Sequence, residues 1–371
     1  MSGSPTAPRR LRVGVIGLAH YHVTGWVETI EGLADRIEIV ALYDPDPAVA
    51  RTLAPPHHDP ALRPALGERY REVPLESSLD ALIERHDLDI ALVTLPNADA
   101  PAAIERLARA GIHLLIDKPA ATNANEARRA FGAVEASRVK AVVGLTRRYS
   151  PTARRAREIV AAGRLGSLIS LEAIFATSSV LVRDPRNPLF DRAASGGGIL
   201  SWLGIHDLDL LLWLTGEPVV EVGAMAGRVG HEGLEVEDVI SVALRFARGA
   251  VGTLHHAYAL PARGYRSRLA VRGLDASIEL GTDEGLVLVT GGGPEAGLRE
   301  ERMSFDVPAV AGYGAAGRAA VEDLLDAIRD DRPTAADGSA LVRALEVIDA
   351  AYEAARTGRH VRLAAGAGDW A

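Results

Sequence analysis

Two lysines stand among the 41 Lys and Arg residues of this chain, and one of them, Lys118, lies in the tripeptide Asp117-Lys118-Pro119. Arginine is always charged and forks toward planar anions. Lysine is a compact donor whose pKa moves on burial, so it can exchange a proton or aim one ammonium at one oxygen. Lys118 follows an apolar run, His113–Ile116, and a polar group just past the carboxyl end of a parallel strand is where open α/β sheets hold ligands. A second cluster of chemically capable residues is Gly196-Gly197-Gly198, then Trp202, His206, Asp207 and Asp209. The glycines permit close approach of a ligand. A helix beginning just after the glycines puts His206 and Asp209, three apart, on one face. An imidazole near pH 7 can accept the proton of a hydroxyl while hydride leaves the same carbon.

A third motif is Gly14-Val15-Ile16-Gly17-Leu18-Ala19-His20-Tyr21-His22. A dinucleotide loop uses one glycine for its tight turn, a second for close approach of the pyrophosphate and a third for helix packing. Gly17 fills the first place, Ala19 stands in the second and His22 in the third. The strand–turn–helix context suits a phosphate at a helix N-terminus. Asp44 closes the next strand; a carboxylate there accepts from both ribose hydroxyls and repels a 2′-phosphate, which favours NAD over NADP.

These residues need a scaffold, and the flanking patterns supply one. Short apolar runs at Leu11–Gly17, Ile37–Tyr43, Asp89–Leu95, Ile112–Ile116 and Lys140–Leu145 alternate with helical stretches at His22–Leu33, Leu79–His86, Ala100–Ala110 and Ala124–Ala136, with a further short helix over 46–54. That alternation predicts a parallel sheet with helices on both faces. Beyond it, strand-like segments at 167–177, 219–229, 236–247, 250–260, 266–273 and 276–280 follow at short spacing, with a hairpin turn at Arg248-Gly249, and two helices, Gly314–Arg329 and Ser339–Thr357, close the chain. The fold expected is α/β: an N-terminal Rossmann domain over 11–122 and a C-terminal α/β domain with an open, mostly antiparallel sheet over 123–365, after a disordered tail at 1–10.

Composition excludes several functions. The chain has no cysteine and a net charge of −8, which removes disulfides, thiol nucleophiles and thiolate metal sites and disfavours nucleic acid and anionic membranes as partners. No apolar run reaches the ~18 residues of a membrane span, and the first ten residues lack the apolar core of a secretory signal, so residence in the cytoplasm is expected. His57-His58 and His255-His256 are adjacent pairs rather than helical metal spacing; only one of the latter pair can face a cleft, and no metal site is expected. Arg147, Arg148, Arg154, Arg155 and Arg157 read mostly as a solvated helix face, with Arg147 or Arg148 placed to meet an anionic substrate.

Taken in order, the first strand and its turn, Asp44-Pro45, Thr94-Leu95-Pro96-Asn97, Ala110 to Pro119, Arg148-Tyr149-Ser150-Pro151, Gly163-Arg164-Leu165-Gly166, the triple glycine with His206 and Asp209, and Ala351 to Gly358 resemble the Gfo/Idh/MocA oxidoreductase family (glucose–fructose oxidoreductase, inositol dehydrogenase and relatives). The resemblance runs over about residues 11–363. It implies an NAD(P)-dependent dehydrogenase of a sugar, cyclitol or derivative, with NAD contacts at Gly17, Ala19, His20, Asp44, Pro96, Asn97 and Lys118. It further implies Lys118 and His206 at the reacting oxygen, substrate contacts at Trp202, Asp209, Arg148 and Tyr149, and a homodimer or homotetramer. The family's Glu-Lys-Pro appears as Asp117-Lys118-Pro119. Its aspartate four residues before the histidine is Trp202 here, and an indole takes no proton. Either His206 and Lys118 suffice, Asp207 or Asp209 substitutes, or the chemistry differs. An NAD-retaining lyase or glycosidase and a non-catalytic sugar- or nucleotide-binding protein are the other readings.

Overall fold

The computed structural model describes residues 9–20, 22–46, 48–49, 69–182, 187–231, 233–281, 285–291, 295 and 297–364; most of the short helix expected over 46–54 lies outside them. Contacts divide the chain into two compact units: the described residues up to Ala120 with Arg129–Gly144 and Pro308–Asp337, and Ala121–Arg128 with Leu145–Val307 and the chain from Gly338.

The first unit holds β1 (Leu11–Ile16), α1 (His22–Glu31), β2 (Ile37–Tyr43), β3 (Leu75–Glu76), α2 (Leu79–Arg85), β4 (Ile90–Val93), α3 (Ala100–Arg109), β5 (His113–Ile116), most of α4 (Ala124–Ala136) and β6 (Ala141–Val143). The strands form one parallel sheet in the order β3-β2-β1-β4-β5-β6. This is the doubly wound arrangement, with its direction of winding reversing between β1 and β4, and ligands bind outside the carboxyl ends of the strands at such a point. The apolar runs are continuous because both faces of the sheet are covered: β4 is buried at every position.

The second unit contributes α5 (Pro151–Ala161), β7 (Leu168–Thr177), α6 (Ile205–Thr215) and eight further strands: β8 (Val219–Gly227), β9 (Val239–Phe246), β10 (Val251–Ala257), β11 (Tyr265–Gly273), β12 (Ala276–Gly281), β13 (Leu286–Gly291), β14 (Leu298–Met303) and, after two long helices, β15 (Val361–Arg362). The helices are α7 (Gly314–Asp330) and α8 (Gly338–Thr357). The nine strands order as β14-β13-β12-β11-β7-β10-β9-β8-β15. Every pair is antiparallel except β7 with β10, which run parallel through the middle. One sheet face carries the core: β9 alternates buried and open positions, while α8 packs on β8 and α6 on β7. The other face presents Ile174, Val251 and Met225, the last 82% exposed, among charge pairs such as Arg268 with Glu172 and Glu279.

Helix α7 belongs to the first unit, where it packs on α1, β5 and β6. The segment after it closes the sheet edge: Val143 N–H donates to Ala336 O at 2.8 Å and Thr334 Oγ1 to Ala141 O at 2.6 Å. A single cut at residue 122 therefore leaves two segments, 129–144 and 308–337, out of the unit in which they pack. The sequence reading also lacks β3, β13, β14 and β15; its mostly antiparallel sheet is the one observed, with a single parallel seam at β7–β10. Among the described residues, the stretch Arg192–Thr215 is long and apolar enough to cross a membrane, and 83% of its apolar window is buried inside the protein, as befits a core helix.

Asp349 on α8 accepts the N–H of Ala124 at the start of α4 at 2.8 Å. Burial, reinforced by Glu126 and Glu346 against the Ala124 N–H and Arg128, pushes its carboxyl up to about 6 from 3.8. A folded-state pKa above the unfolded one means stability from this group is present below about pH 4 and lost as pH rises through about 6. After discounting for partial exposure the loss is about 1–2 kcal/mol. Urea denaturation at about pH 4 and about pH 7 should show Asp349→Asn gaining that much on the native protein at the higher pH; a constant difference at both would refute the assignment.

Candidate functional site

Four strand ends of the first unit gather the residues expected to bind the cofactor. Gly17 leaves β1 at φ +93°, and a Cβ there would lie 2.7 Å from Leu95 N; both the handedness and the closeness require glycine. Its N–H donates to Tyr43 O at 2.9 Å, and Thr94 Oγ1 donates to Gly17 O at 2.5 Å, so the turn is tied to the ends of β2 and β4. Asp44 is buried at the end of β2. One of its oxygens accepts the N–H groups of Leu18 and Ala19, the latter at 3.2 Å, and the other accepts Asp46 N–H at 2.8 Å. Burial raises its pKa against those three backbone donors. Pro96 and Asn97 follow β4, with Asn97 buried. The strand–turn–helix geometry, the left-handed glycine and the carboxylate at the end of β2 together fit a dinucleotide.

Lys118 follows β5 and is 4% exposed, whereas Lys140 makes an ordinary ion pair with Asp331 at 2.6 Å. The two lysines thus differ in kind, as the sequence suggests. Asp117, beside Lys118, accounts for the histidine in the third glycine place of the loop. His22 Nδ1 lies 2.8 Å from Asp117 Oδ2, and Trp26 Nε1 donates to Asp117 Oδ1 at 2.9 Å. The histidine in the third glycine place and the aspartate in place of glutamate are two halves of one contact. His20 Nδ1 accepts His22 N–H at 3.2 Å and stands 3.7 Å from Asp117 Oδ2.

In the second unit His206 is half-buried on α6, and Trp202 is buried in the π-helical turn Leu200–Gly204 that enters it. The three glycines before it serve packing, where the sequence reading gave them to a ligand. A Cβ at Gly196 would meet Thr122 O at 2.4 Å, one at Gly197 the Tyr352 hydroxyl at 2.1 Å, and one at Gly198 Glu237 O at 2.1 Å. Glu237 then grips the start of the helix: its carboxylate accepts Gly198 N–H at 2.8 Å, Leu200 N–H at 3.1 Å and the Tyr352 hydroxyl at 2.9 Å. Burial raises the pKa of Glu237 despite these donors.

The two aspartates after His206 are committed to cations. Asp207 takes Arg147 on one oxygen and His256 Nε2, at 2.9 Å, on the other. Burial opposes its ionisation, but Arg147 and His256 outweigh that and hold the carboxyl below its usual range. Asp209 is chelated by Arg148 through Nε at 2.8 Å and through Nη2, and the guanidinium lies over Trp213. Asp209 and Arg148, expected at a substrate, and Arg147, expected at an anion, make these internal pairs. Tyr149 is buried beneath Arg154. The alternation expected of His255 and His256 is present: His256 faces inward to Asp207 while His255 bonds Ser241 on the open face at 2.8 Å. The Arg147–Asp207–His256 and Glu237–Tyr352 contacts join residues 49 to 115 apart, and no local spacing announces them.

A nucleotide-binding α/β unit followed by a sheet-based second unit is the frame of a cofactor-dependent oxidoreductase. The comparisons agree. Residues 11–145 match the model described as "Oxidoreductase family, NAD-binding Rossmann fold" and residues 153–279 that described as "GFO/IDH/MocA C-terminal domain". The chain belongs to the Gfo/Idh/MocA oxidoreductase family. It is 28% identical over 364 residues to an inositol 2-dehydrogenase of Rhizobium meliloti, covering 95% of this chain and 98% of the relative. Among solved structures it resembles an aldose–aldose oxidoreductase of Caulobacter crescentus complexed with glycerol (25% identity, TM-score 0.76, 96% of this chain and 100% of that one). A levoglucosan dehydrogenase in complex with NADH and L-sorbose shares its fold (19% identity, TM-score 0.81, 96% and 99%).

Removing one partner of a buried ion pair strands the other charge at a cost of about 3 kcal/mol or more, while replacing both by apolar groups can be near neutral. Arg148→Met should therefore lower unfolding free energy by that amount and Arg148→Met/Asp209→Leu should recover most of it. Equal losses in the single and double variants, read by chemical denaturation, would contradict the pairing.

Proposed function

We propose that the protein is an NAD-dependent dehydrogenase that oxidises a CH–OH carbon of a sugar, cyclitol or related polyol. The observation that carries this reading is the ammonium of Lys118, buried at the carboxyl end of β5 in the unit whose Gly17 turn and Asp44 fit a dinucleotide. Bound NAD would supply the hydride acceptor. Lys118 holds the reacting oxygen and favours its alkoxide form. His206 removes the hydroxyl proton. Asp44 favours NAD over NADP, because a 2′-phosphate would meet a carboxylate already turned toward the loop. Asp207, paired with Arg147 and His256, and Asp209, paired with Arg148, fix α6, the helix that carries His206.

Buried Trp202, in the place of the family's aspartate, takes no proton and favours a second reading, a non-catalytic sugar- or nucleotide-binding protein; ligand binding without any NADH production would mark it. NAD⁺ and NADP⁺ titrations followed by tryptophan fluorescence, then a panel of cyclitols and aldoses followed by NADH absorbance, test the first reading. NAD⁺ should bind more tightly than NADP⁺, and Asp44→Asn should narrow that preference. Lys118→Met and His206→Asn should each lower kcat/KM about 10²–10⁴-fold with NAD⁺ affinity changed far less. Absence of binding by either nucleotide would overturn it.

The open face of the nine-stranded sheet supports a homo-oligomer. Ile174 and Val251 lie among rows of paired Arg and Glu that a two-fold axis sets against their own copies. Ile174→Glu should shift sedimentation toward the monomer; a native protein already monomeric at micromolar concentration would refute this.

A further inference from the structure

The geometry points to a binding site for a divalent transition-metal cation of the zinc class, formed by His20, His22 and Asp117 in the first unit. One donor atom from each of these residues lies within 4.8 Å of the others. Nδ1 of His22 is 2.8 Å and Nδ1 of His20 3.7 Å from the same carboxylate oxygen of Asp117. Ligand atoms around a tetrahedral ion with bonds near 2.0–2.1 Å stand about 3.3 Å apart, so these separations bracket what an ion requires, and on binding His20 Nδ1 would exchange the His22 N–H it accepts at 3.2 Å for the ion. Two imidazoles and one carboxylate, in a chain with no thiol, suit zinc, cobalt, nickel or ferrous iron rather than calcium or magnesium.

The surroundings are those of a built ligand set. Asp117 Oδ1 is held by the Trp26 indole N–H at 2.9 Å, which turns Oδ2 toward the histidines; outer hydrogen bonds of this sort orient metal ligands. The His22 ring stands edge-on to Tyr313 at 5.5 Å, and Tyr313 packs on Trp26 at 4.4 Å, so rotation of the imidazole is limited. The side chains are 11%, 13% and 8% exposed for His20, His22 and Asp117, shielded yet reachable, which leaves remaining coordination positions for water. The turn after β1 delivers His20, the first residue of α1 His22 and the end of β5 the aspartate, and an ion would pin the Gly17 turn to the loop that carries Lys118. The ammonium of Lys118, one residue on, opposes a dication, and the Asp117 charge offsets part of that repulsion.

Full-length protein stripped with a chelator and titrated with Co²⁺, followed by visible d–d absorption and by metal analysis after desalting, tests the site; Zn²⁺ should displace the colour. One Co²⁺ per chain is expected. His20→Gln and Asp117→Asn should each weaken uptake at least tenfold, and Trp26→Phe about tenfold through the carboxylate, with thermal unfolding checking that each variant is folded. His255→Gln, on the open sheet face, should change nothing. No stoichiometric uptake by the native protein at millimolar Co²⁺, or uptake that persists in both ligand variants, would overturn the proposal and leave His22–Asp117 as a hydrogen-bonded pair alone. NAD⁺ binding by the same chelated protein is a separate readout, so loss of the metal reading does not touch that of the cofactor.

Discussion

A carboxylate withdrawn from water must be supplied with donors, or it costs several kcal/mol. Much of both units is arranged around that constraint. Asp44 collects three backbone N–H groups and so sets the turn after β1. Asp117 collects an imidazole and an indole and sets α1 against β5. Glu237 collects two N–H groups and a phenol and fixes the entry to α6. Asp207 and Asp209 take an arginine each and fix the helix beyond it. Each anion thereby ties down a connection between elements, and Lys118 and His206 are chain neighbours of those anions.

Residues of the same type have different fates. Lys118 is buried at a strand end and Lys140 pairs at the surface with Asp331. His255 meets Ser241 on an open sheet face, and His256 meets Asp207 in the core. The strand period of two separates the last pair; for the lysines, the separation comes from which end of a strand each occupies, since Lys140 precedes β6 and Lys118 follows β5.

Local pattern carried the fold a long way. Strand β2 and helix α4 have the bounds that hydrophobic periodicity assigns them, although the start of α4 is held by Asp349, 225 residues away. Strand β14, Leu-Arg-Glu-Glu-Arg-Met, is an edge strand exposed along nearly its whole length, and nothing apolar marks it. The parallel pairing of β7 with β10 depends on a crossover that no window of residues contains. At the site the types were legible and the partners were not. Gly196, Gly197 and Gly198 are visible as a demand for close approach, but what approaches is Thr122, Tyr352 and Glu237, up to 155 residues away along the chain. His22 reads alone as an erosion of the glycine loop; only with Asp117 beside it does it read as a contact.

The placement of α7 bears on how the chain is made. The last strand of the parallel sheet ends at Val143, but its free edge is closed by residues 334–336, and α7, which packs on β5 and β6, spans 314–330. During synthesis from the N-terminus the first unit has all its strands long before it has its final helix, and an uncovered strand edge invites pairing with other chains. Residues Leu145–Val307 of the second unit must leave the ribosome in between. The nucleotide-binding unit is thus the first begun and among the last completed, and a nascent chain stalled within the nine-stranded sheet would expose β6 rather than a finished, independent domain.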